Sequence, residues 1–311
     1  DLERRYSVNI DPSLVLITPG AKPIMFFAIM LMGEPGTEIL YPNPGFPIYE
    51  SMIRYTGAKA VPIELKEETG FSFDPTKLLD QVNEQTRLII LNSPANPTGG
   101  VIPKENFDTL IDGLKKYPKT VILSDEIYSR ILYDDKKHFS LLNYPEIRDR
   151  LIVIDGWSKT YAMTGWRLGY GIWPKALFEY AERLAVNSYS CPNAAAQYAG
   201  IAALEGPQEK VSQMVEEFDK RRNVITEALN TMPGISCVKP AGAFYVFPNI
   251  KNTGYSSQIL QERLLEEKGV AVVSGTAFGD LGEGYLRISY ANSLENIHSA
   301  MDRMQALLAE K

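Results

Sequence analysis

The chain has 311 residues, of which 45% are hydrophobic and 23% charged, and its 32 Lys and Arg against 38 Asp and Glu give a net charge of -6. This composition is typical of a globular protein and excludes a disordered or collagen-like chain, and the acidic net charge does not favour a nucleic-acid-binding protein. Two cysteines and two histidines are too few for a disulfide framework or for most histidine-based metal sites. The longest apolar stretch, residues 24–32, is far shorter than a membrane span, so a cytoplasmic protein without a bound metal is expected.

Short apolar runs alternate with helical patterns in the first two thirds of the chain. Several of these runs are rich in Val, Ile and Leu and end at Gly, Pro or Asn, which is typical of buried strands in a mainly parallel sheet. Strands are predicted at residues 14–18, 38–41, 59–63, 88–92, 120–124, 151–154 and 168–172. Helices are predicted at residues 2–6, 24–32, 46–56, 75–82 and 104–116. The alternation predicts an α/β fold.

The pattern changes after about residue 205. A long amphipathic helix is predicted at residues 208–232, with Arg221 and Arg222 on its polar side. Strands at residues 236–239, 243–247, 270–273 and 285–289 follow, with helices at residues 256–267 and 294–309. The length of the chain also favours two domains. We therefore expect a large mainly parallel-sheet α/β domain at residues 1–205 and a smaller α+β domain at residues 206–311.

Residues 155–170, with the sequence DGWSKTYAMTGWRLGY, contain the strongest chemical signal. Lys159 follows a predicted buried strand, and desolvation of its ammonium there would lower its pKa. Such a lysine can form a Schiff base with an aldehyde cofactor. Arg167, eight residues later, suits a phosphate as a bidentate partner. The alternative is a surface lysine at a strand end, whose stem packs on apolar surface while its ammonium reaches water.

Other polar residues lie where predicted strands end or loops begin. Asp125 ends a buried strand, where α/β folds bind ligands, or it caps the following helix. Residues 92–100, NSPANPTGG, form a loop with two X-Pro bonds, which is either a structural turn or a binding loop that contains Asn96. Residues 18–23 connect a strand to a helix whose first N–H groups can bind an anion. The ring of Phe46 either packs against a flat aromatic ligand or belongs to the hydrophobic core. Arg287 lies on a predicted half-buried strand, where its charge needs an anionic ligand or an ion-pair partner.

Taken together, these segments resemble class I/II aminotransferases, the aspartate-aminotransferase family of fold type I. That family shows Ser-Lys followed by a run that ends Gly-x-Arg-x-Gly-Tyr, which residues 158–170 match, and an Asn-Pro-x-Asn-Pro-Thr-Gly signature, which residues 92–99 resemble. Six segments lie in the family's order between residues 18 and 287. The resemblance covers essentially the whole chain and implies a pyridoxal 5'-phosphate (PLP) enzyme with a fold type I architecture.

The resemblance also implies roles for individual residues. Many members carry a phosphate-binding serine where this chain has Gly156, and Ser158 is expected to compensate. In the implied site, Lys159 holds PLP and acts as base and acid, while Arg167 and the backbones of Ala21 and Lys22 bind the cofactor phosphate. Phe46 stacks on the cofactor ring, Asp125 faces its pyridine nitrogen, and Tyr128 and Asn96 contact its phenolic oxygen. Asn96 and Arg287 hold the substrate carboxylate.

The implied activity is transfer of the amino group of an L-amino acid to a 2-oxo acid such as 2-oxoglutarate, by ping-pong kinetics, in a homodimer. The alternatives are a PLP-dependent C–S β-lyase and a non-catalytic PLP-binding regulatory module. Val186 stands where members specific for dicarboxylates carry an arginine, which weakens the case for an acidic substrate. Full-length relatives have a further N-terminal region before residue 14, so impaired turnover of the 311-residue chain is expected.

Overall fold

Seven strands form the main sheet, in the order β1-β7-β6-β5-β4-β2-β3. The computed structural model describes residues 1–310. Its strands are β1 Val15–Thr18, β2 Glu38–Asn43, β3 Lys59–Glu64, β4 Thr86–Asn92, β5 Val121–Asp125, β6 Leu151–Gly156 and β7 Gly169–Ile172. Strands β2 to β6 are parallel to one another, whereas β7 is antiparallel to both β6 and β1. The predicted α/β fold with a mostly parallel sheet is confirmed.

Eleven α-helices lie among residues 1–310. They are α1 Leu2–Tyr6, α2 Lys22–Met32, α3 Ile48–Thr56, α4 Pro75–Gln81, α5 Lys104–Gly113, α6 Trp157–Thr160, α7 Lys175–Tyr189, α8 Ala194–Glu205, α9 Glu209–Thr231, α10 Ser257–Lys268 and α11 Leu294–Ala309. The sequence analysis assigned no helix to the segments of α7 and α8. Within the described residues no helix is both long and apolar enough to cross a bilayer.

The main sheet is covered by hydrophobic packing on both faces. Alternate residues of β4 enter two different cores, since Leu88 and Ile90 pack with α2, α3 and α7, while Ile89 and Leu91 pack with α4 and α5. Side chains of a strand alternate between the faces of its sheet, so a strand buried on both faces is apolar at successive positions. The continuous apolar runs of the sequence therefore reflect the double coverage of the sheet.

A second sheet has the order β8-β10-β9, with β8 Tyr245–Val246, β9 Val273–Ser274 and β10 Leu286–Ser289. Its hydrophobic core includes side chains of α9, α10 and α11, and also Ile127, Tyr128, Ile131 and Tyr133 from the earlier part of the chain. The division at residues 205 and 206 stays a prediction.

The strand predicted at residues 236–239 is wrong. The segment makes only one isolated β-bridge, between Ser236 and Asn249. The side chain of Asn230 donates to the carbonyl of Cys237 at 3.0 Å and accepts from its N–H at 2.9 Å. Because these backbone groups are bonded to a side chain, they are not available to a strand ladder.

The prediction that Arg222 lies on the polar side of the long helix is also wrong. Arg222 is 1% exposed, four residues after Phe218 and three before Ile225 on the buried face of α9. Its guanidinium donates to both carboxylate oxygens of Asp134, at 2.7 and 2.8 Å, and lies 2.6 Å from Asp219. A buried arginine is tolerated because carboxylates accept its hydrogen bonds.

Candidate active site

A cavity of about 310 Å³ lies at the carboxyl ends of β5 and β6. All ten predicted site residues line this cavity: Ala21, Lys22, Phe46, Asn96, Asp125, Tyr128, Ser158, Lys159, Arg167 and Arg287. Five further residues, to which the sequence analysis gave no role, complete the lining: Met25, Asn92, Ile127, Thr164 and Tyr245. Asn92 lies in the same motif as Asn96 and Tyr245 in a segment that resembles the family, so both carried a sequence signal.

Lys159 lies in α6, one short turn that begins where β6 ends. Its Nζ lies 5.3 Å from the ring centroid of Phe244 and 5.8 Å from that of Tyr128. Burial lowers the pKa of Lys159, and the positive charges of Arg287 and Arg167 lower it further. Across residues 1–310 no side chain forms an ion pair with its ammonium. An unpaired amine with a lowered pKa can act as a nucleophile and as a base.

Asp125 is the last residue of β5 and is fully buried. Its carboxylate accepts from the Tyr49 hydroxyl at 2.6 Å and from the N–H of Ile127 at 3.3 Å. Burial raises the pKa of Asp125 to about 6. No Lys, Arg or His of the described chain forms an ion pair with it. A buried carboxylate with this environment fits a partner that brings its own positive charge, such as a protonated pyridine nitrogen.

The loop that carries Asn96 is fixed to β5 by side-chain hydrogen bonds. The Asn92 amide donates to the carbonyl of Asp125 at 3.0 Å, and its oxygen accepts from the Asn96 N–H at 2.9 Å. The bonds Ser93–Pro94 and Asn96–Pro97 are both cis. The side chain of Asn92 holds the backbone of Asn96, and the side-chain oxygen of Asn96 accepts from Arg287 Nη1 at 3.2 Å in the cavity.

Arg287 reaches the cavity from β10 of the second sheet. Its guanidinium lies between the rings of Tyr245 and Phe278, 4.8 Å from each centroid. Nε is buried and has no hydrogen-bond partner. Within residues 1–310 no carboxylate lies within 4.0 Å of its nitrogens. Two aromatic faces orient a planar cation while its edge stays available to an anion, which favours a carboxylate ligand over a structural ion pair.

A second anion site lies where the loop before α2 meets Arg167. The guanidinium donates to the carbonyls of Thr164 at 2.7 Å and Pro19 at 3.4 Å. A Cβ on Gly20 would lie 2.3 Å from Nη2, and Gly20 has a φ of +82°, so this position requires glycine. The first N–H groups of α2 have no acceptor within the helix. Backbone donors, the positive end of a helix dipole and a guanidinium together favour a phosphate.

Gly156 stands where many relatives carry a phosphate-binding serine. A Cβ there would lie 2.8 Å from the Cα of Gly169 and 3.1 Å from the carbonyl oxygen of Leu168. The packing of β6 against β7 therefore leaves no room for a serine. Ser158 is buried and lines the cavity, and its hydroxyl makes no hydrogen bond to other described residues.

Phe46, which is predicted to stack on a cofactor ring, lines the cavity. Its ring packs edge-on against Tyr49, with centroids 6.0 Å apart, and the Lys22 ammonium lies 5.4 Å from its centroid. Tyr128 shares a hydrogen bond of 3.0 Å with the hydroxyl of Tyr245. The cavity therefore combines flat aromatic surface, a buried carboxylate and two cationic sites, which fits an aromatic cofactor with a phosphate group and a substrate with a carboxylate.

Glu126, next to Asp125, is buried outside the cavity lining. Its Oε1 accepts from the hydroxyls of Ser124 and Ser140, at 2.9 and 3.0 Å, and from the N–H of Leu141 at 3.2 Å. Burial raises the pKa of Glu126 from 4.5 to about 7. The folded protein therefore binds the Glu126 proton more tightly than the unfolded chain does. Its contribution to the free energy of unfolding is fully present below pH 4.5 and is lost as the pH rises to about 7.

Glu126→Gln removes this titration, because the amide stays neutral and its oxygen can accept the same hydrogen bonds. Relative to the native protein, the variant should gain roughly 2–3 kcal/mol of unfolding free energy between about pH 5 and pH 8. Chemical denaturation of both proteins at several pH values measures this difference. The control is Glu216→Gln on the exposed face of α9, for which the difference should stay constant. A constant difference for Glu126→Gln would contradict the raised pKa.

Comparisons with known proteins place the whole chain among aminotransferases. The family described as aminotransferase class I and II matches residues 2–304. An aspartate aminotransferase of Pyrococcus horikoshii is 41% identical over 98% of the chain and 78% of its own length, and an aromatic-amino-acid aminotransferase of Thermococcus litoralis is 38% identical over 99% and 80%. The crystal structure of an aromatic aminotransferase from Pyrococcus horikoshii superimposes with a TM-score of 0.95 at 37% identity, covering 99% of this chain and 83% of that one.

Proposed function

Since the chain belongs to the class I and II aminotransferase family, we propose that it transfers the amino group of an L-amino acid to a 2-oxo acid such as 2-oxoglutarate, in two half-reactions at one site and with PLP as cofactor. The supporting observation is an unpaired lysine amine in a cavity that has two separate anion sites, one at Arg167 and one at Arg287. One site suits the cofactor phosphate and the other the α-carboxylate that amino acids and 2-oxo acids share.

Members of this family use PLP, and the residues of the cavity fit it. Arg167, Ser158 and the backbones of Ala21 and Lys22 would hold its phosphate, and Phe46 would cover one face of its ring. Asp125 would face the pyridine nitrogen, while Tyr128 and Asn96 would contact the phenolic oxygen. When bound and held with its ring nitrogen protonated, PLP supplies an electron sink for the α-carbon of an amino acid.

In this proposal Lys159 has two roles. Its amine holds the cofactor covalently between substrates and, once released, takes the proton from the substrate α-carbon and returns one. A lowered pKa supports both roles, because more of the amine is neutral near pH 7. Arg287 and Asn96 would grip the carboxylate and so fix the α-carbon relative to Nζ, which is the positional contribution to the rate.

Lys159→Ala tests the proposed function. The native protein with PLP should show a visible absorption band, keep the cofactor after borohydride reduction, and form glutamate from 2-oxoglutarate with at least one amino acid of a panel. The variant should lose the covalent cofactor and nearly all turnover, since the nucleophile and base are gone. The control is Lys119→Ala at an exposed position. Release of ammonia and pyruvate in the absence of a 2-oxo acid would instead indicate a β-lyase. Covalent binding of PLP with neither reaction would indicate a regulatory module.

Arg287→Gln should lower kcat/KM for amino acids by about 100-fold, mainly through KM, because a charge-assisted bidentate contact to the carboxylate is lost. The cofactor band should be unchanged. Amines that lack the carboxylate should lose far less, since they never make this contact. Steady-state kinetics with an amino acid and its decarboxylated analogue measure the difference. The control is Arg303→Gln on α11. An equal loss for both substrates would contradict the carboxylate role.

The proposal includes a homodimer. Large apolar side chains are exposed close to Arg167 and along α8: Trp166 is 52%, Ile201 50% and Tyr198 76% exposed. Large apolar side chains that share one face of a protein favour association. A second copy of the chain would cover them.

Ile201→Glu should weaken the dimer, because it places a charge in an apolar contact. Light scattering over a range of protein concentrations should give twice the chain mass for the native protein and a concentration-dependent mass for the variant. Ile259→Glu is a matched control, since Ile259 on α10 is also 50% exposed. A monomeric native protein, or equal effects of the two substitutions, would contradict the proposed interface.

A further inference from the structure

A cluster of buried polar side chains lies beside the cavity without lining it. It is centred on Arg5 of α1, so we refer to it as the Arg5 cluster. Its other members are Tyr6, Glu126, Ser129, His138 and Asp155. None of the roles proposed above uses these six side chains.

One chain of hydrogen bonds runs from Arg5 to the loop of Asn96. Arg5 Nη2 donates to the Tyr6 hydroxyl at 2.7 Å, and this hydroxyl lies 2.8 Å from His138 Nδ1. His138 Nε2 lies 3.1 Å from the carbonyl oxygen of Ser93. A carbonyl only accepts, so Nε2 carries the proton and Nδ1 of a neutral imidazole accepts from Tyr6. Burial supports the neutral form, since it lowers the pKa of His138 to about 4. Every bond thus has one direction, and the chain ends three residues before Asn96.

A second chain runs from the same guanidinium to the turn of Lys159. Arg5 Nη2 donates to Ser129 Oγ at 2.9 Å, and Ser129 donates to Asp155 Oδ2 at 2.9 Å. The other oxygen of Asp155 accepts from the N–H of Gly156 at 2.7 Å. Gly156 is the residue before α6, and Lys159 follows three residues later.

The cluster also contains an electrostatic constraint. Asp155 and Glu126 are both buried near Asp125. Their negative charges raise the pKa of Asp125, and the charge of Glu126 also raises the pKa of Asp155. Arg5 Nη1 lies 3.7 Å from Asp155 and 3.4 Å from the more exposed Asp1. Across residues 1–310 no other cation forms an ion pair with Asp155. Removing Arg5 would therefore leave the buried carboxylate of Asp155 without a cationic partner and break both hydrogen-bonded chains at their common origin.

We propose that Arg5 is a positioning residue of the active site, whose guanidinium holds the Asn96 loop and the Lys159 turn in one fixed arrangement through two hydrogen-bonded chains. The effect on turnover rests on the proposed function, whereas the effect on the two backbone segments does not. Arg5 touches neither the cavity nor any reacting atom. Its loss would act through small displacements of Asn96 and Lys159, and displacements of this kind lower rates strongly.

The first test needs no activity. Hydrogen–deuterium exchange is compared between the native protein and Arg5→Met, with Arg4→Met as the control, since Arg4 is the exposed neighbour on the same helix. In Arg5→Met, amides of residues 92–99 and 156–162 should exchange at least tenfold faster, while those of β10 should be unchanged. Exchange as slow as in Arg4→Met would overturn the proposal, as would uniformly faster exchange over the whole chain.

The second test measures turnover of the PLP-loaded enzyme. Arg5→Met should lower kcat at least tenfold, and Arg4→Met should not. If Arg5→Met does not fold, Arg5→Met/Asp155→Asn removes the unpaired carboxylate and should fold but keep the low kcat, because the chain to Ser93 stays broken. Arg5→Lys keeps the charge but not the forked hydrogen bonds, and kcat should remain low. Native kcat in the double variant or in Arg5→Lys would overturn positioning. An inactive native protein would refute the proposed function and leave the exchange test decisive.

Discussion

The arrangement of the cavity depends on the buried carboxylate of Asp125 at the end of β5, which accepts a hydrogen bond from the hydroxyl of Tyr49. The same residue offers its backbone carbonyl to Asn92, and through Asn92 it fixes the loop that presents Asn96. Parallel neighbours β4 and β6 bring Asn92 and Ile154 into register with it. The ends of β4, β5 and β6 therefore meet at one point of the sheet, where burying a negative charge without a cationic partner is unfavourable.

The two anion sites differ in how they are built. The site at Arg167 is mostly backbone: two carbonyls hold the guanidinium, and a glycine permits its approach. Apart from Arg167 itself, such a site depends little on side chains. The site at Arg287 consists of side chains from both sheets, with two aromatic faces and one amide. The Arg287–Asn96 contact therefore links the second sheet to the loop that follows β4 of the main sheet.

The sequence predicted the alternation of strands and helices and ten of the fifteen residues that line the cavity. The family resemblance assigned those ten residues, and several of them lie where strands end at one edge of the main sheet. The predictions are wrong where a polar residue is buried or where a side chain takes the backbone hydrogen bonds of a predicted strand. Arg222 was placed on a polar face, but the two aspartates that allow its burial include Asp134, which is far away in sequence. Residues 236–239 have a strand-like composition, yet Asn230 takes their hydrogen bonds. The Arg5 cluster was not predicted, because its members are polar residues from four separate segments and no pattern gave them a shared role, although Asp155 begins the segment that contains Lys159.

Gly156 also limits which sequences can be exchanged into this part of the chain. Its missing Cβ is matched to the backbone of residues 168 and 169, so a side chain at 156 needs a change in that backbone at the same time. A serine at position 156 would be strained unless the backbone of residues 168 and 169 moves away from it. Grafting a lysine segment with serine at this position into this chain would therefore require the strand that follows it as well.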